Sequence, residues 1–342
     1  MFEIELKGTS EKIGEQRGNL LKPVITIFME YLMKNSNFGF SECIDWALNW
    51  KNKIYESFPE LAKEIKSSAK ISGIEENLLF AYNFRAWNAL CKHPSHPDCY
   101  NIGFSDKNTG PLHGGILEDG ISYIIEKITP QDGFEHISIS LPGTVWCVRG
   151  MNERGLTCGQ VSAFPGLYTG ESDFIFGTQD YARSYFILRH IMQYCENVEE
   201  AIRIFKKFSG MGTFMFADKN DKIAVVEKAG ELTGVRFCEN DYIISGGHYL
   251  CKDLLLKLSG KNIYHIPAEG HIKRHYAIFR LVKENATSLK LMKKILTSCK
   301  EEEGQFCNDI TQCATIGIPK SGQFLVAGHV PCRSEFKSFV FK

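Results

Sequence analysis

The sequence predicts an α+β protein in which antiparallel sheets are covered by layers of helices. Two observations support this class. The first 90 residues carry apolar side chains at helical spacing, whereas from Cys99 onward short segments of β-branched and aromatic residues predominate. Pairs of helices then interrupt groups of strands, and helices do not alternate singly with strands, which disfavours a parallel βαβ repeat.

The opening third is predicted to be helical. Between residues 10 and 34, apolar side chains recur at spacings of three, four and seven at Ile13, Leu20, Leu21, Val24, Phe28 and Leu32. Further helices are expected at 40–56, 59–71 and 76–90. Pro59 suits the first turn of the third helix, and Gly73 suits its end.

The remainder is predicted to alternate groups of strands with pairs of helices. Early strands are expected at Tyr100–Phe104, Ser122–Ile128, His136–Leu141, Val145–Val148 and Leu156–Val161. Helices are expected at 179–195, 198–208, 275–286 and 288–298. Hairpins are expected from Thr213–Ala217 with Ile223–Glu227, and from Gln312–Ile318 with Gln323–Gly328.

Composition narrows the functional class. The 342 residues include 40 basic and 40 acidic side chains, and this balance argues against general nucleic-acid binding or docking on an anionic membrane. No apolar run approaches the roughly 20 residues that span a bilayer, and the acidic opening lacks the basic start of a signal peptide. We therefore expect a cytoplasmic protein that acts on a small, weakly charged molecule.

The 12 cysteines are scattered, without paired Cys-x-x-Cys spacing, so free thiols are expected and no metal or cofactor. A cluster of Cys91, His93, His96 and Cys99 could suggest a metal site. Pro94 and Pro97 break any helix that would present those ligands, which makes this alternative the weaker one.

Cys99 is the first candidate nucleophile because it lies at the boundary between the helical and strand-rich parts. If the chain were cut before it, its own α-amino group, with a pKa of about 7.7–8.0, could accept the thiol proton. Glycines at 114 and 115 followed by Asp119 suit a turn that returns a carboxylate towards Cys99. The alternative is that Cys99 is one ordinary thiol among twelve.

Asn152 is a second candidate, in the polar turn Met151-Asn-Glu-Arg-Gly-Leu156. Its side-chain amide could donate to an oxyanion. Plain turn chemistry is the other interpretation, because asparagine favours turns for its local hydrogen bonds.

The order of motifs resembles the isopenicillin N acyltransferase-like family, autoproteolytic N-terminal nucleophile hydrolases distantly related to bile-salt hydrolases. The similar motifs run nearly from end to end: Gly8-Thr-Ser-Glu-Lys-Ile-Gly14 with Gln16-Arg-Gly18, Leu61-Ala-Lys-Glu-Ile65, Cys99 with Asp119, Asn152-Glu-Arg-Gly-Leu156, Phe216-Ala-Asp218, Arg274 and Gly328-His-Val-Pro-Cys332.

The resemblance implies a four-layer αββα fold and a two-part chain. Residues 1–98 would be a helical propeptide, and residues 99–342 the catalytic subunit. Cleavage between Asp98 and Cys99 would leave the two as a heterodimer, with a higher oligomer left open and no cofactor. The substrate implied is a small acyl-amide or acyl-thioester, which Cys99 attacks to form an acyl-enzyme.

The resemblance also implies roles for individual residues. Asp119 would hold the new ammonium, and Arg274 would orient Asp119 or bind a substrate carboxylate. Asn152 would stabilise the oxyanion together with the backbone at Gly247 or His248.

Two departures from the family pattern leave alternatives open. Gly247 stands where the family has an oxyanion asparagine, so restoring asparagine there is expected to raise activity. Asp98 stands where the family often has glycine before the nucleophile. These departures would suit an uncleaved, impaired relative that acts as a binding or structural protein. A further alternative is a Cys/His hydrolase with His248 as its base.

Overall fold

The computed structural model describes residues 1–34, 40–84, 99–118, 121–163, 178–261 and 269–341. Asp98 and Asp119, and with them the junction before Cys99, lie outside these residues. The same holds for Cys91, His93 and His96 of the metal alternative. Within the described ranges, no helix is long and apolar enough to cross a membrane.

One sheet has eight strands in the order β1-β4-β5-β6-β7-β8-β9-β10. Its strands are β1 (Phe2–Gly8), β4 (Ile124–Pro130), β5 (His136–Ser140), β6 (Arg149–Asn152), β7 (Thr157–Val161), β8 (Gly210–Ala217), β9 (Ile223–Gly230) and β10 (Leu232–Phe237). Neighbouring strands run antiparallel, except that β1 is parallel to β4.

The second sheet has six antiparallel strands in the order β11-β2-β3-β12-β13-β14. Its strands are β2 (Tyr100–Asp106), β3 (Gly110–Glu118), β11 (Tyr242–Ser245), β12 (Thr311–Ile318), β13 (Gln323–Ala327) and β14 (Lys337–Val340). Strands β2 and β3 face β7 and β8 of the first sheet, so that the two sheets form a sandwich.

Helices cover the outer faces of the sandwich. They are α1 (Ser10–Lys34), α2 (Phe40–Ser57), α3 (Pro59–Ser72), α4 (Glu76–Asn83), α5 (Thr178–Tyr194), α6 (Val198–Lys207), α7 (Lys252–Ser259), α8 (Glu269–Glu284) and α9 (Leu289–Leu296). Helices α5 and α6 pack on the eight-stranded sheet, and α9 packs on β2 and β3. The predicted four-layer αββα architecture is confirmed.

The opening segment is not built of helices alone, which corrects the sequence-based expectation. Phe2–Gly8 forms the edge strand β1, paired with β4 from Phe2 opposite Ile124 to Gly8 opposite Pro130. Its side chains alternate, with Ile4 and Leu6 buried and their neighbours exposed. This period of two was present in the sequence, but seven residues ahead of a long helical pattern gave too weak a signal.

A buried charge network joins the opening helices to the first sheet. Arg17 on α1 is fully buried and binds Glu64 on α3 at 2.7 Å and both carboxylate oxygens of Glu126 on β4 at 3.0 Å. Glu64 also accepts from Arg189 on α5. Burial alone would lower the pKa of Arg17, but the charges of Glu126 and Glu64 raise it above its ordinary value. The guanidinium is therefore held charged.

Candidate active site

Cys99 immediately precedes β2 and is buried, with 3% of its surface exposed. Its Sγ lies beside the last residue of β3, where the backbone N–H of Glu118 donates to the sulfur at 3.3 Å. The Glu118 carbonyl oxygen is 3.6 Å from the same sulfur and can accept from the thiol. Pairing of β2 with β3 thus gives Cys99 a backbone donor that can stabilise a negative sulfur.

Arg149 reaches across the sandwich to the residues that follow Cys99. It lies on β6 of the first sheet and is almost fully buried. Its guanidinium donates to Asn101 Oδ1 at 2.6 Å, to the Tyr100 carbonyl at 3.1 Å and to the Ile116 carbonyl at 2.5 Å. All three acceptors are uncharged.

Two glycines make room for this guanidinium. A Cβ added at Gly115 on β3 would lie 2.1 Å from Arg149 Nη1, and one at Gly159 on β7 would lie 2.9 Å from it. Neither distance is compatible with a side chain, because real carbon–nitrogen contacts do not approach so closely. Gly115 was interpreted from the sequence as part of a turn. The structure instead places it within β3, where the absence of a side chain leaves space for Arg149.

The charge of Arg149 has no carboxylate partner in the described part of the chain. Burial lowers the pKa of Arg149, and its attraction to Cys99, Cys313 and Cys158 opposes that shift. An arginine remains protonated in proteins because its intrinsic pKa lies above 12. A buried cation therefore stands close to Cys99, and the same attraction favours the thiolate form of that residue.

Glu118, which was not predicted from the sequence, is a carboxylate that Arg274 binds. Arg274 on α8 pairs with both oxygens of Glu118, at 2.8 and 3.0 Å. The Glu118 carboxylate also accepts from Asn308 Nδ2 at 2.8 Å and from Thr311 Oγ1 at 2.9 Å. Arg274 was expected to orient Asp119, which lies outside the described residues, and the structure pairs Arg274 with Glu118, the residue immediately before.

Arg274 also binds the loop that precedes β12. Its Nε donates to the Gly304 carbonyl at 3.2 Å, and its Nη2 donates to the Gln305 carbonyl at 2.8 Å. With these bonds and the bidentate pair, the guanidinium is held on several sides. This favours the orienting role over capture of a substrate carboxylate.

Asn152 has the contacts of a turn residue. Its two amide hydrogens donate to the carbonyls of Met192 and Cys195, at 3.0 and 2.8 Å. Its Oδ1 accepts from the backbone N–H groups of Arg154 and Leu156. Both hydrogens are committed to carbonyl oxygens, which argues against the predicted role as an oxyanion donor. The side chain instead ties the turn between β6 and β7 to the end of α5.

Gly247 has no room for the asparagine expected from the family pattern. A Cβ at this position would lie 2.4 Å from His271 Nε2 and 2.9 Å from the Ser162 carbonyl. The Gly247 N–H is directed at His271 Nδ1, at 3.4 Å. The expectation that asparagine here would raise activity is therefore contradicted by packing.

His248 belongs to a group of stacked and tilted imidazoles. Its ring centroid lies 5.6 Å from that of His271 and 6.4 Å from that of His275. His271 in turn lies 6.2 Å from the ring of Tyr100, the residue after Cys99. The sequence indicated His248 but not its partner His271, which lies 23 residues further along the chain.

His113 is a buried histidine beside Arg149. Burial, and then the charge of Arg149, lower its pKa from 6.5 to about 3. Its Nδ1 lies 2.8 Å from Thr157 Oγ1. The imidazole is therefore neutral near pH 7 and packs between the sheets as an uncharged group.

Several solved structures resemble the chain at low sequence identity. The solved structures that resemble the chain include a mutant of the conjugated bile acid hydrolase from Clostridium perfringens, with a TM-score of 0.44 and 12% identity over 71% of this chain and 97% of that one. The N-acylethanolamine-hydrolyzing acid amidase ortholog from Caenorhabditis elegans has a TM-score of 0.46 and 13% identity, over 65% and 93%. Penicillin V acylase from Agrobacterium tumefaciens has a TM-score of 0.41 and 12% identity, over 67% and 83%. Likenesses this distant carry no argument about chemistry.

Sequence comparison is more decisive. No curated protein matches the chain significantly. The family model for acyl-coenzyme A:6-aminopenicillanic acid acyl-transferase matches residues 120–313, which is more than half of the chain and includes Arg149, Asn152 and Arg274. The chain belongs to the acyl-coenzyme A:6-aminopenicillanic acid acyl-transferase family.

Proposed function

We propose that the protein is an amidase or acyltransferase whose nucleophile is Cys99, acting on a linear amide or thioester through an acyl-enzyme. The carrying observation is the buried guanidinium of Arg149, which binds the residue after Cys99 and has only uncharged hydrogen-bond acceptors. A thiolate attacks carbonyl carbon, and nearby cations and N–H donors are what convert a thiol to that form.

The first step of the proposed mechanism is maturation, in which the chain cleaves itself before Cys99. The Cys99 sulfur attacks the Asp98 carbonyl carbon, and the peptide nitrogen leaves as the new α-amino group. Water then hydrolyses the thioester that links Asp98 to the sulfur and releases the carboxylate of Asp98. Residues 1–98 and 99–342 would then remain as two associated chains.

The second step is acyl transfer. The freed amine takes the thiol proton, the sulfur attacks the substrate carbonyl, and the amine or thiol of the substrate leaves with a proton. Asp119 would hold the ammonium, and the Glu118–Arg274 pair would fix the chain directly before it. With Asn152 committed to its turn, backbone N–H groups would supply the oxyanion donors, and that of Gly247 would do so only after leaving His271 Nδ1.

A groove close to this site suggests an apolar acyl group. It has a cavity volume of about 730 Å³, and its apolar lining includes Leu20, Val24, Tyr123 and Ile310. Ile310 directly precedes Thr311, which binds Glu118. Tyr123 lies within the electrostatic reach of Arg149. A hydrocarbon chain bound here would gain about 25 cal/mol of binding free energy for each Å² of apolar surface that it buries.

The test compares wild type with Cys99→Ala by intact-mass spectrometry and acyl-enzyme trapping. Wild type should give two fragments that meet at Cys99 and elute together, and Cys99→Ala should remain one chain. Incubation with a panel of acyl-amides and acyl-thioesters should add an acyl mass to the fragment that begins with Cys99. Cys238→Ser serves as the control, since that thiol lies outside the site.

Two results would overturn the proposal. A Cys99→Ala chain that is still cut before residue 99 requires an external protease. A wild-type chain that stays intact and acquires no acyl mass from any substrate would favour the uncleaved binding protein. A Cys/His hydrolase would instead retain one chain and lose its activity in His248→Ala.

A further inference from the structure

Three cysteines that are far apart in sequence meet at one place on the surface. The sulfurs of Cys299, Cys307 and Cys332 all lie within 4.8 Å of one another. Cys307 is buried, whereas Cys299 and Cys332 are exposed. None of the three belongs to the chemistry proposed at Cys99, and none has the short paired spacing by which metal ligands are recognised in a sequence.

The backbone around the three thiols is held by hydrogen bonds. Cys299 follows α9, Cys307 lies before β12, and Cys332 lies in a 3₁₀ turn at Pro331–Arg333. The Cys307 N–H donates to the Ser298 carbonyl at 2.9 Å, and the Cys332 N–H donates to Cys307 Sγ at 3.2 Å. The convergence is thus fixed by backbone and does not depend on side-chain rotamers alone.

Val330, two residues before Cys332, has a strained backbone conformation. Val330 has a φ of 50°, in the left-handed region that a β-branched side chain rarely enters. Its N–H donates to the Thr311 carbonyl at 3.0 Å, which fixes the turn that delivers Cys332. Such strain costs about 1–3 kcal/mol and persists only where surrounding contacts enforce it.

The three sulfurs lie close enough together to share one cation. Three thiolates this close would repel one another, so all three can ionise together only around a positive ion.

We propose that Cys299, Cys307 and Cys332 bind one soft, thiolate-seeking metal ion such as Zn²⁺. Thiolate ligands select zinc and other soft ions, and zinc–sulfur bonds are about 2.3 Å long, so tetrahedral sulfurs stand a little under 4 Å apart. The exposed side of the cluster leaves a fourth position for water. Formation of the site releases the three thiol protons to solvent.

The ion would also stiffen the loop behind the candidate active site. Cys307 is followed by Asn308, which binds Glu118, and is preceded by Gly304 and Gln305, whose carbonyls bind Arg274. Cys332 is linked through Val330 to Thr311, which also binds Glu118. The metal would therefore join the two segments that contact the Glu118–Arg274 pair to each other and to Cys299 after α9.

The experiment titrates reduced, metal-free full chain with Zn²⁺ in competition with a chromophoric chelator, and with Co²⁺ for its sulfur-to-cobalt absorption. Wild type should bind one equivalent. Loss of a supporting group beyond the ligands already costs metal affinity about 10–100-fold, so Cys299→Ser and Cys332→Ser should each weaken Zn²⁺ binding at least about 100-fold. Both changed thiols are exposed, which limits damage to the fold.

Two control variants separate this site from other thiols. Cys238→Ser and Cys99→Ser should each keep the bound equivalent, so the result does not depend on chemistry at Cys99. The proposal is overturned if wild type binds no equivalent, or if the affinity in Cys299→Ser and Cys332→Ser equals that of wild type. A Cys299–Cys332 disulfide in protein purified without reductant, with no zinc uptake after reduction, would equally overturn it.

Discussion

At the scale of single residues, the site depends on side chains that sequence motifs do not mark. Arg149 follows a buried apolar stretch and resembles an ordinary strand residue, yet it binds the carbonyls of Tyr100, the residue after Cys99, and of Ile116 on β3. Gly115 and Gly159 lack side chains, and this leaves space for the guanidinium.

Removal of the Arg149 charge should shift the reactivity of Cys99 to higher pH. In Arg149→Met the thiolate loses a buried cation, so we expect the pH midpoint for alkylation of Cys99 to rise by about one unit or more, equivalent to about 1.4 kcal/mol. The rate is followed by mass spectrometry of the Cys99 peptide. Arg154→Met changes an arginine on the neighbouring turn, half-exposed, and should leave the midpoint in place.

An unchanged midpoint in a folded Arg149→Met protein would remove Arg149 from the chemistry. Arg149→Lys provides a second check because it retains the charge while losing the planar fork. It should recover part of the shift, although its single ammonium cannot bind three acceptors in the same way.

The packing around Gly247 leads to a second prediction at this scale. Gly247→Ala places a Cβ against His271 and the Ser162 carbonyl, which should cost about 1–3 kcal/mol of unfolding free energy. Gly260→Ala is the matched control, because its added Cβ meets only ordinary contacts beyond 3.4 Å and its φ is −62°. Urea unfolding of both variants measures the difference. Equal unfolding free energies for Gly247→Ala and Gly260→Ala would show that the residues around Gly247 move to accommodate a Cβ without measurable cost.

At the scale of elements, periodicity predicted most helices and strands but misplaced those set by tertiary contacts. Val145–Val148 was expected to be a strand, whereas the strand begins at Arg149. Val145 and Trp146 are buried and held against α4. The Val145 backbone N–H donates to Asn83 Oδ1, and the Trp146 indole N–H donates to the Asn83 carbonyl. An apolar run that packs against a helix cannot be distinguished by composition from one that pairs in a sheet.

The residues of the candidate site could also be predicted only in part from the sequence. Cys99 and Arg274 were found from the change in periodicity and from family motifs, and both lie beside Glu118. Glu118 itself was not predicted, since a sequence cannot reveal which carboxylate faces an arginine on a distant helix, and Asp119 lies outside the described residues. Asn152 matched a family motif, but its hydrogen bonds serve the turn.

The junction of β3, α8 and the loop before β12 depends on the Glu118–Arg274 pair. Glu118→Gln removes the charge of the carboxylate that binds Arg274 with both oxygens, and breaking such a buried pair costs about 3–5 kcal/mol. We expect a loss of that order in unfolding free energy, together with impaired maturation. Glu3→Gln makes the same change in an ion pair with Lys337 at the surface and should cost less than about 1 kcal/mol. Similar losses in the two variants would contradict the assigned role.

At the scale of the whole molecule, the opening segment is part of the sandwich and not an appendage to it. Strand β1 extends the eight-stranded sheet, and Arg17 binds carboxylates on both α3 and β4. Helix α1 approaches α3 so closely that a Cβ at Gly14 would lie 2.2 Å from the Glu64 carbonyl. A cut before Cys99 would therefore leave two chains with a shared core.

Acid should destabilise this core because it buries neutral histidines between and beside the sheets. Burial lowers the pKa of His113 to about 3, and burial also depresses that of His136. Below pH 6.5 the unfolded chain binds a proton at each histidine that the folded chain does not, so stability is fully present above pH 6.5 and falls as pH decreases towards 3. Each group contributes a slope of up to about 1.4 kcal/mol per pH unit.

Urea unfolding between pH 7.5 and 5 measures this slope. In His113→Gln the unfolded chain no longer takes up that proton, and we expect the dependence of unfolding free energy on pH to decrease by about 1 kcal/mol per unit below pH 6. His329→Gln changes an exposed imidazole and should leave the slope as in wild type. A His113→Gln protein with the wild-type slope would mean that His113 becomes protonated without unfolding the sandwich. Arg149 would then have to tolerate a second cation beside it, against the electrostatics argued for Cys99.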